Sequence, residues 1–152
     1  IAEREGPNAV VVSVDFRRVG GFPKVVVRSG TLLTSMGIEE WCALAVKRGA
    51  GEILLQSIDR DGTLGGYDLD AIRAVSHFGV RLVASGGCGT YEHMAQAIDA
   101  GADAVAAGTM FQFTDQTPQG ARAYLAGYGI DVRPPQRPFE MSDPADYTMA
   151  GD

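Results

Sequence analysis

The sequence has no cluster of Lys and Arg: 13 basic residues are scattered among 19 acidic ones, for a net charge of -6. Nucleic acid and anionic membranes are held by grouped cations, so both are excluded as main partners and any phosphate must be bound locally. Cysteine is nearly absent. Cys42 and Cys88 show neither metal-ligand nor disulfide spacing, which predicts reduced thiols, a cytoplasmic setting, and no metal or other cofactor. No apolar run approaches the ~20 residues that cross a bilayer, and residues 1–9 lack signal-peptide character, so a soluble protein is expected. The 152 residues are ample for one packed domain but short of the ~250 of a complete eight-stranded βα barrel. The chain opens at Ile1 rather than Met, which reads as an incomplete piece or as terminal processing.

Glycine, by contrast, is abundant at 20 residues and falls where apolar runs stop, as tight strand-to-helix turns require. Val10 to Asp15 is a β-branched run closed by an acid and predicts a first strand. Gly20-Gly21-Phe22-Pro23 is a turn, Lys24 to Arg28 a short returning strand, and Ser29-Gly30-Thr31 closes the excursion. Gly37 to Arg48 carries Ile38, Trp41, Cys42, Ala45 and Val46 at helical spacing, with Gly49 as the stop.

Three further units follow. Glu52 to Ser57 predicts a second strand, with a helix from Asp68 to Phe78. Val80 to Ser85 predicts a third, with a helix from Thr90, its N-cap, to Ala100. Ala102 to Ala107 predicts the fourth, with a last helix from Pro118 to Tyr128. Four strand–loop–helix units imply an α/β fold with parallel strands, right-handed crossovers and two open sheet edges. From Pro134 onward there are four prolines and no apolar period, which predicts a disordered or loosely attached tail over 134–152 behind a domain spanning 1–133.

In such folds the loops at the carboxyl ends of strands form the site. The first two strands are followed by acids and the last two by glycine beside a small hydroxyl residue. Asp59 and Asp61 follow an apolar strand and precede Gly62. They are either site carboxylates or a turn-former and a helix cap. Asp15 ends a valine-rich strand, where an acid is costly to bury unless it is used or paired. It transfers protons or pairs with Arg17 or Arg18. Gly86-Gly87 and Gly108-Thr109 each precede a helical turn, an arrangement that lets backbone N–H groups approach a phosphate but that any tight turn would also use. His77 and His93 lie on helices and read as surface or packing residues. Trp41 and Met94 read as core, and Cys88, with no base beside it, as an inert thiol.

Gly49-Ala50-Gly51-Glu52-Ile53-Leu54-Leu55, Ser57-Ile58-Asp59-Arg60-Asp61-Gly62-Thr63, Gly66-Tyr67-Asp68, Ala84-Ser85-Gly86-Gly87 and Gly129-Ile130-Asp131-Val132-Arg133 resemble the cyclase subunit of imidazole glycerol phosphate synthase, of histidine biosynthesis. The resemblance runs from Asn8 to Arg133 and covers only the carboxyl-terminal half of that barrel. It implies a parallel (βα)4 half-barrel of the TIM-barrel type, which a second copy would complete.

The family takes ammonia from a glutaminase partner and uses it on a bis-phosphorylated ribulosyl substrate, with one catalytic aspartate in each half. The resemblance makes Asp15 the catalytic acid or base here. It gives Asp61, Gly62, Gly87, Gly108 and Thr109 to one substrate phosphate, with Asp59 and Gly86 in the same loops and Ser29 and Gly30 lining the site. Glu52 matches a gate acid near the glutaminase interface. Thr31-Leu32 stands where the synthase usually has basic residues, and Gly108-Thr109 replaces a commoner Ala-Ser. Both resemble barrel relatives that assist sugar amidation in surface-polysaccharide pathways. A phosphate-binding scaffold without catalysis is the third reading.

Overall fold

The computed structural model of the protein describes residues 1–133. The expected disordered tail from Pro134 lies outside the described residues. A short helix α1 (Ala2–Glu5) and one 3-10 turn (Pro7–Ala9) lead into β1 (Val11–Val19), β2 (Phe22–Val27) and β3 (Leu32–Gly37). Then come α2 (Ile38–Lys47), β4 (Glu52–Ser57), α3 (Leu69–Val75), β5 (Arg81–Ser85), α4 (Tyr91–Asp99), β6 (Ala104–Val105), α5 (Thr109–Phe113) and α6 (Pro118–Gly127).

One sheet runs β3-β2-β1-β4-β5-β6. β1, β4, β5 and β6 are parallel, as the alternation of units requires, whereas β1–β2 and β2–β3 are antiparallel. Helices α2, α3, α4 and α6 touch in sequence along the sheet. Packing on that face buries Val14, Phe16, Ile53, Leu55, Leu82 and Ala84 in one core with Ile38, Cys42, Ile72, Met94 and Met110. β1 from Val11 to Phe16, β4 and β5 therefore alternate in burial, because only one face is covered by helices. The register stacks the other face in layers: Val11–Glu52–Arg81, then Ser13–Leu54–Val83–Ala104, then Asp15–Gln56–Ser85. These are the layers that fill the interior of a closed barrel, and in the single chain Val11 is 56% exposed.

Three expectations are corrected. β1 does not end at Asp15. It runs on to Val19, because Phe16 to Val19 find a second partner in Phe22 to Val25. Leu32 to Met36, to which the sequence reading gives no element, forms a strand together with Gly37, which is expected to open the helix. It is held only by β2 through an interrupted register, and its burial shows no alternation from which it could be read. The fourth parallel strand is two residues rather than Ala102 to Ala107. Asp103 and Ala106 still donate to Leu82 and Ala84, but among the described residues β6 has no neighbour beyond.

The helix expected from Asp68 is α-helical to Val75, then tightens into a 3-10 turn over Ser76–Phe78. Asp68 and Thr90 cap α3 and α4 by accepting from Ala71 and His93 N–H.

Candidate functional site

The parallel strands bring their carboxyl ends, with the loops that follow, to one rim. Two cavities open there. One, of about 530 Å³, is lined by Ser13, Asp15, Arg17, Ser29, Gly30, Gln56 and Ile58. The other, of about 250 Å³, is lined by Gln56, Asp61, Ser85 to Cys88, and Ala106 to Thr109. Gln56 belongs to both.

Asp15 is half-buried and accepts from Ser13 Oγ at 3.0 Å. It forms no ion pair among the described residues. Arg18 goes elsewhere, to Asp68, and Arg17 shares the Asp15 cavity. Ser29 is held in the left-handed region, with φ 56, a conformation that costs a non-glycine residue energy and persists only where the surroundings impose it. Thr31 ties that turn by donating from Oγ1 to Arg28 O at 2.6 Å.

The second cavity depends on glycine. Gly86 and Gly87 have φ of 91 and 101, and a Cβ on Gly87 would run into Gly66 O and lie 2.9 Å from Arg60 Cβ. Gly66 N–H donates to Gly87 O at 2.7 Å, so the loop after β4 is laced to the loop after β5. The N–H groups of Gly87 and Gly108 donate to no backbone acceptor among the described residues, and Asp61 borders the same space.

Beneath this rim Tyr67 donates to Ala106 O at 2.9 Å, and burial pushes its phenol above the ordinary range. Burial also raises the Cys88 thiol, whose Sγ donates to Thr90 O at 3.6 Å.

Two expected site residues stand apart. Asp59 lines neither cavity; its Oδ2 accepts from the backbone N–H of Arg18 at 2.6 Å, so it fastens the hairpin. Gly62 also lines neither. It turns the chain with φ 79 and open space around it. Glu52 lies at the opposite end of the strands and pairs with Arg81 at 3.2 Å, its neighbour in register.

Sequence reasoning missed Gln56, Ser85 and Ser13, and named Arg17 only as an alternative ion-pair partner of Asp15, although strand alternation from Asp15 would have placed Ser13 and Arg17 on its face. It also missed the Arg18–Asp68 pair. Nε and Nη2 of Arg18 each meet an oxygen of Asp68 at 2.7 Å, and Nη1 donates to Gly21 O at 2.6 Å. Burial alone would raise the Asp68 carboxyl. The fork from Arg18, the Ala71 N–H and the charges of Arg18 and Arg60 together outweigh it and hold the group below the usual carboxylate range. Bonding to Asp68 in turn raises the Arg18 guanidinium.

A one-sided sheet of four parallel strands, with interior layers and a site at the carboxyl rim, defines half of a βα barrel. The chain belongs to the histidine biosynthesis protein family, whose model matches residues 1–117. It is 43% identical over 134 residues to imidazole glycerol phosphate synthase subunit HisF of Thermotoga sp. (strain RQ2), covering 88% of this chain and 53% of that relative. HisF of Streptomyces coelicolor is 48% identical over 135 residues, with 88% and 54% covered. HisF of Chloroherpeton thalassium is 42% identical over 135 residues, with the same coverage. The chain thus spans about half the length of the curated relatives it matches.

Proposed function

We propose that this chain is the carboxyl-terminal half of a cyclase of imidazole glycerol phosphate synthase. The observation that carries the reading is the pair of adjoining cavities at one rim, one holding a carboxylate and the other walled by glycine backbone. A substrate with a phosphate at one end and a reacting centre some way along it fits that division.

In this reading Gly86, Gly87, Gly108 and Thr109 hold one phosphate through backbone N–H groups. Asp61 is itself an anion, and takes hydroxyl or amine donors of the substrate. Asp15 moves a proton at the reacting centre, with Ser13 Oγ orienting its carboxylate. Gln56, between the two, carries a side-chain amide that can both donate and accept. No metal or organic cofactor is called for. Ammonia comes from a glutaminase partner at the amino-terminal end of the strands, where the Glu52–Arg81 pair stands at its entry. The setting is cytoplasmic.

The second aspartate and the second phosphate site belong to the other half of the barrel. A second copy supplies both. Among the described residues, the edge of β1 over Val11 to Asp15 and the outer edge of β6 carry no strand partner on one side, and the uncovered inner layers of two copies complete one interior.

Sedimentation equilibrium of the purified chain with and without phosphate tests the closure. A dimer is expected, and a well-folded monomer at all concentrations overturns it. An ammonia-dependent cyclase assay on the wild type and Asp15→Asn then tests the chemistry. Loss of turnover with retained phosphate binding supports the catalytic role, while phosphate binding without turnover in the wild type leaves a non-catalytic scaffold.

Thr31-Leu32 in place of basic residues, with Gly108-Thr109 in place of Ala-Ser, supports a second reading in which the chain assists sugar amidation. Turnover with an amino-sugar precursor instead of the ribulosyl substrate would select it.

A further inference from the structure

Arg18 and Asp68 are 50 residues apart in sequence and line neither rim cavity, yet every polar arm of the pair is committed. Arg18 joins three segments: its backbone N–H meets Asp59, its fork meets Asp68 at the start of α3, and its remaining arm meets Gly21 O in the hairpin turn. Among the described residues the tip of that hairpin has no apolar anchor, since Val19 is 43% and Phe22 71% exposed. Polar contacts hold it. From Asp68 the connection runs on through Arg60 Nε at 3.9 Å, Arg60 Nη1 to Gly66 O at 3.3 Å, and Gly66 N–H to Gly87 O at 2.7 Å. It ends in the wall of the glycine-lined cavity.

We infer that Arg18 and Asp68 are positioning residues that lock the β1–β2 hairpin to the loop between β4 and α3, and so set the spacing between the Asp15 cavity and the glycine-lined cavity. This rests on the reading of those cavities as one substrate site. The pair touches no substrate. The bidentate fork fixes angle as well as distance, which a single ammonium would not. Without it, the β1–β2 hairpin, whose second strand leads into the Ser29 turn, and the loop bearing Asp61 and Gly66 move independently, and a substrate that must reach both ends meets a site of variable length.

The test compares wild type, Asp68→Asn and Arg18→Lys by amide hydrogen exchange and by titration with inorganic phosphate, followed on the amides of Gly86, Gly87 and Gly108. The expected result is exchange at the Arg18 and Gly66 amides faster by about tenfold relative to the control amide of Leu82, which donates to Asp103 instead. Arg18→Lys is expected to fall between wild type and Asp68→Asn, and phosphate affinity to fall in the same order.

Both substitutions also lower global stability, which raises exchange at Leu82 by the factor that urea unfolding gives; exchange at Arg18 and Gly66 is read after division by that factor, and a corrected rate unchanged at Gly66 overturns the inference. If Asp68→Asn does not fold, Arg18→Lys carries the same comparison. If phosphate moves no cradle amide in the wild type, the anion reading falls and the exchange data still decide the inference.

Discussion

Replacing Asp68 with Asn removes one charge from a carboxylate that is 4% exposed and held by a two-pronged arginine. Breaking a buried ion pair on one side typically costs ~3–5 kcal/mol, because the other charge is left uncompensated. Arg18 is a third exposed, at 34%, and can turn part of its guanidinium to water. Asn also keeps an oxygen for the Ala71 N–H. Those two reliefs bring the expected loss to about 2–3 kcal/mol, or a fall in Tm on the order of 5–10 °C.

The pH dependence follows from the depressed carboxyl of Asp68. A group lowered on folding contributes stability that is fully present above its unfolded pKa, ~3.9 for Asp, and lost as pH falls through the folded value. The gap between wild type and variant should therefore be constant from neutral pH to about pH 5 and close below it. Urea unfolding at one fixed protein concentration, from pH 7 down to pH 3, measures it. Asp70→Asn is the control: that carboxylate is 82% exposed and pairs with Arg73 three residues on, so its removal should change stability by less than ~0.5 kcal/mol. A folded Asp68→Asn no weaker than this control at pH 7, or a gap that survives unchanged at pH 3, would refute the reasoning.

Gly87→Ala should be poorly tolerated, because a Cβ there meets Gly66 O and the backbone sits at φ 101. Loss of several kcal/mol, roughly 3 or more, is expected in urea unfolding, together with loss of phosphate binding by calorimetry. A variant as stable as wild type would contradict the close approach. Cys42 is 0% exposed and burial pushes its thiol up to about 11. Both thiols should therefore resist alkylation at pH 8 in the native protein and react after unfolding. Fast stoichiometric labelling of the folded chain, located by peptide mapping, would show that the core around Cys42 opens.

The parallel strands were legible because each is a short apolar run stopped by an acid or a glycine, a pattern that depends only on neighbours in sequence. Asp15 and Asp61 could be placed at the rim for the same reason: each follows its strand within a few residues. The same local rule left Asp59, two residues before Asp61, open between site carboxylate and turn-former, and its Oδ2 accepts from Arg18 N–H. The two acids are equivalent in sequence and are separated only by where Arg18 N–H arrives. β3 was invisible because among the described residues its one partner is β2, through an interrupted register, and its composition carries no period.

Local sterics and hydrophobic patterning were enough to set the α/β alternation, the strand ends at which acids fall and the glycine positions in the rim loops. Only the tertiary structure decided that Gln56 stands between two cavities, that Glu52 meets Arg81, and that Arg18 leaves Asp15 free by bonding Asp68. Those pairings depend on sheet register and on loops meeting across a rim, and no stretch of sequence short enough to read contains both partners.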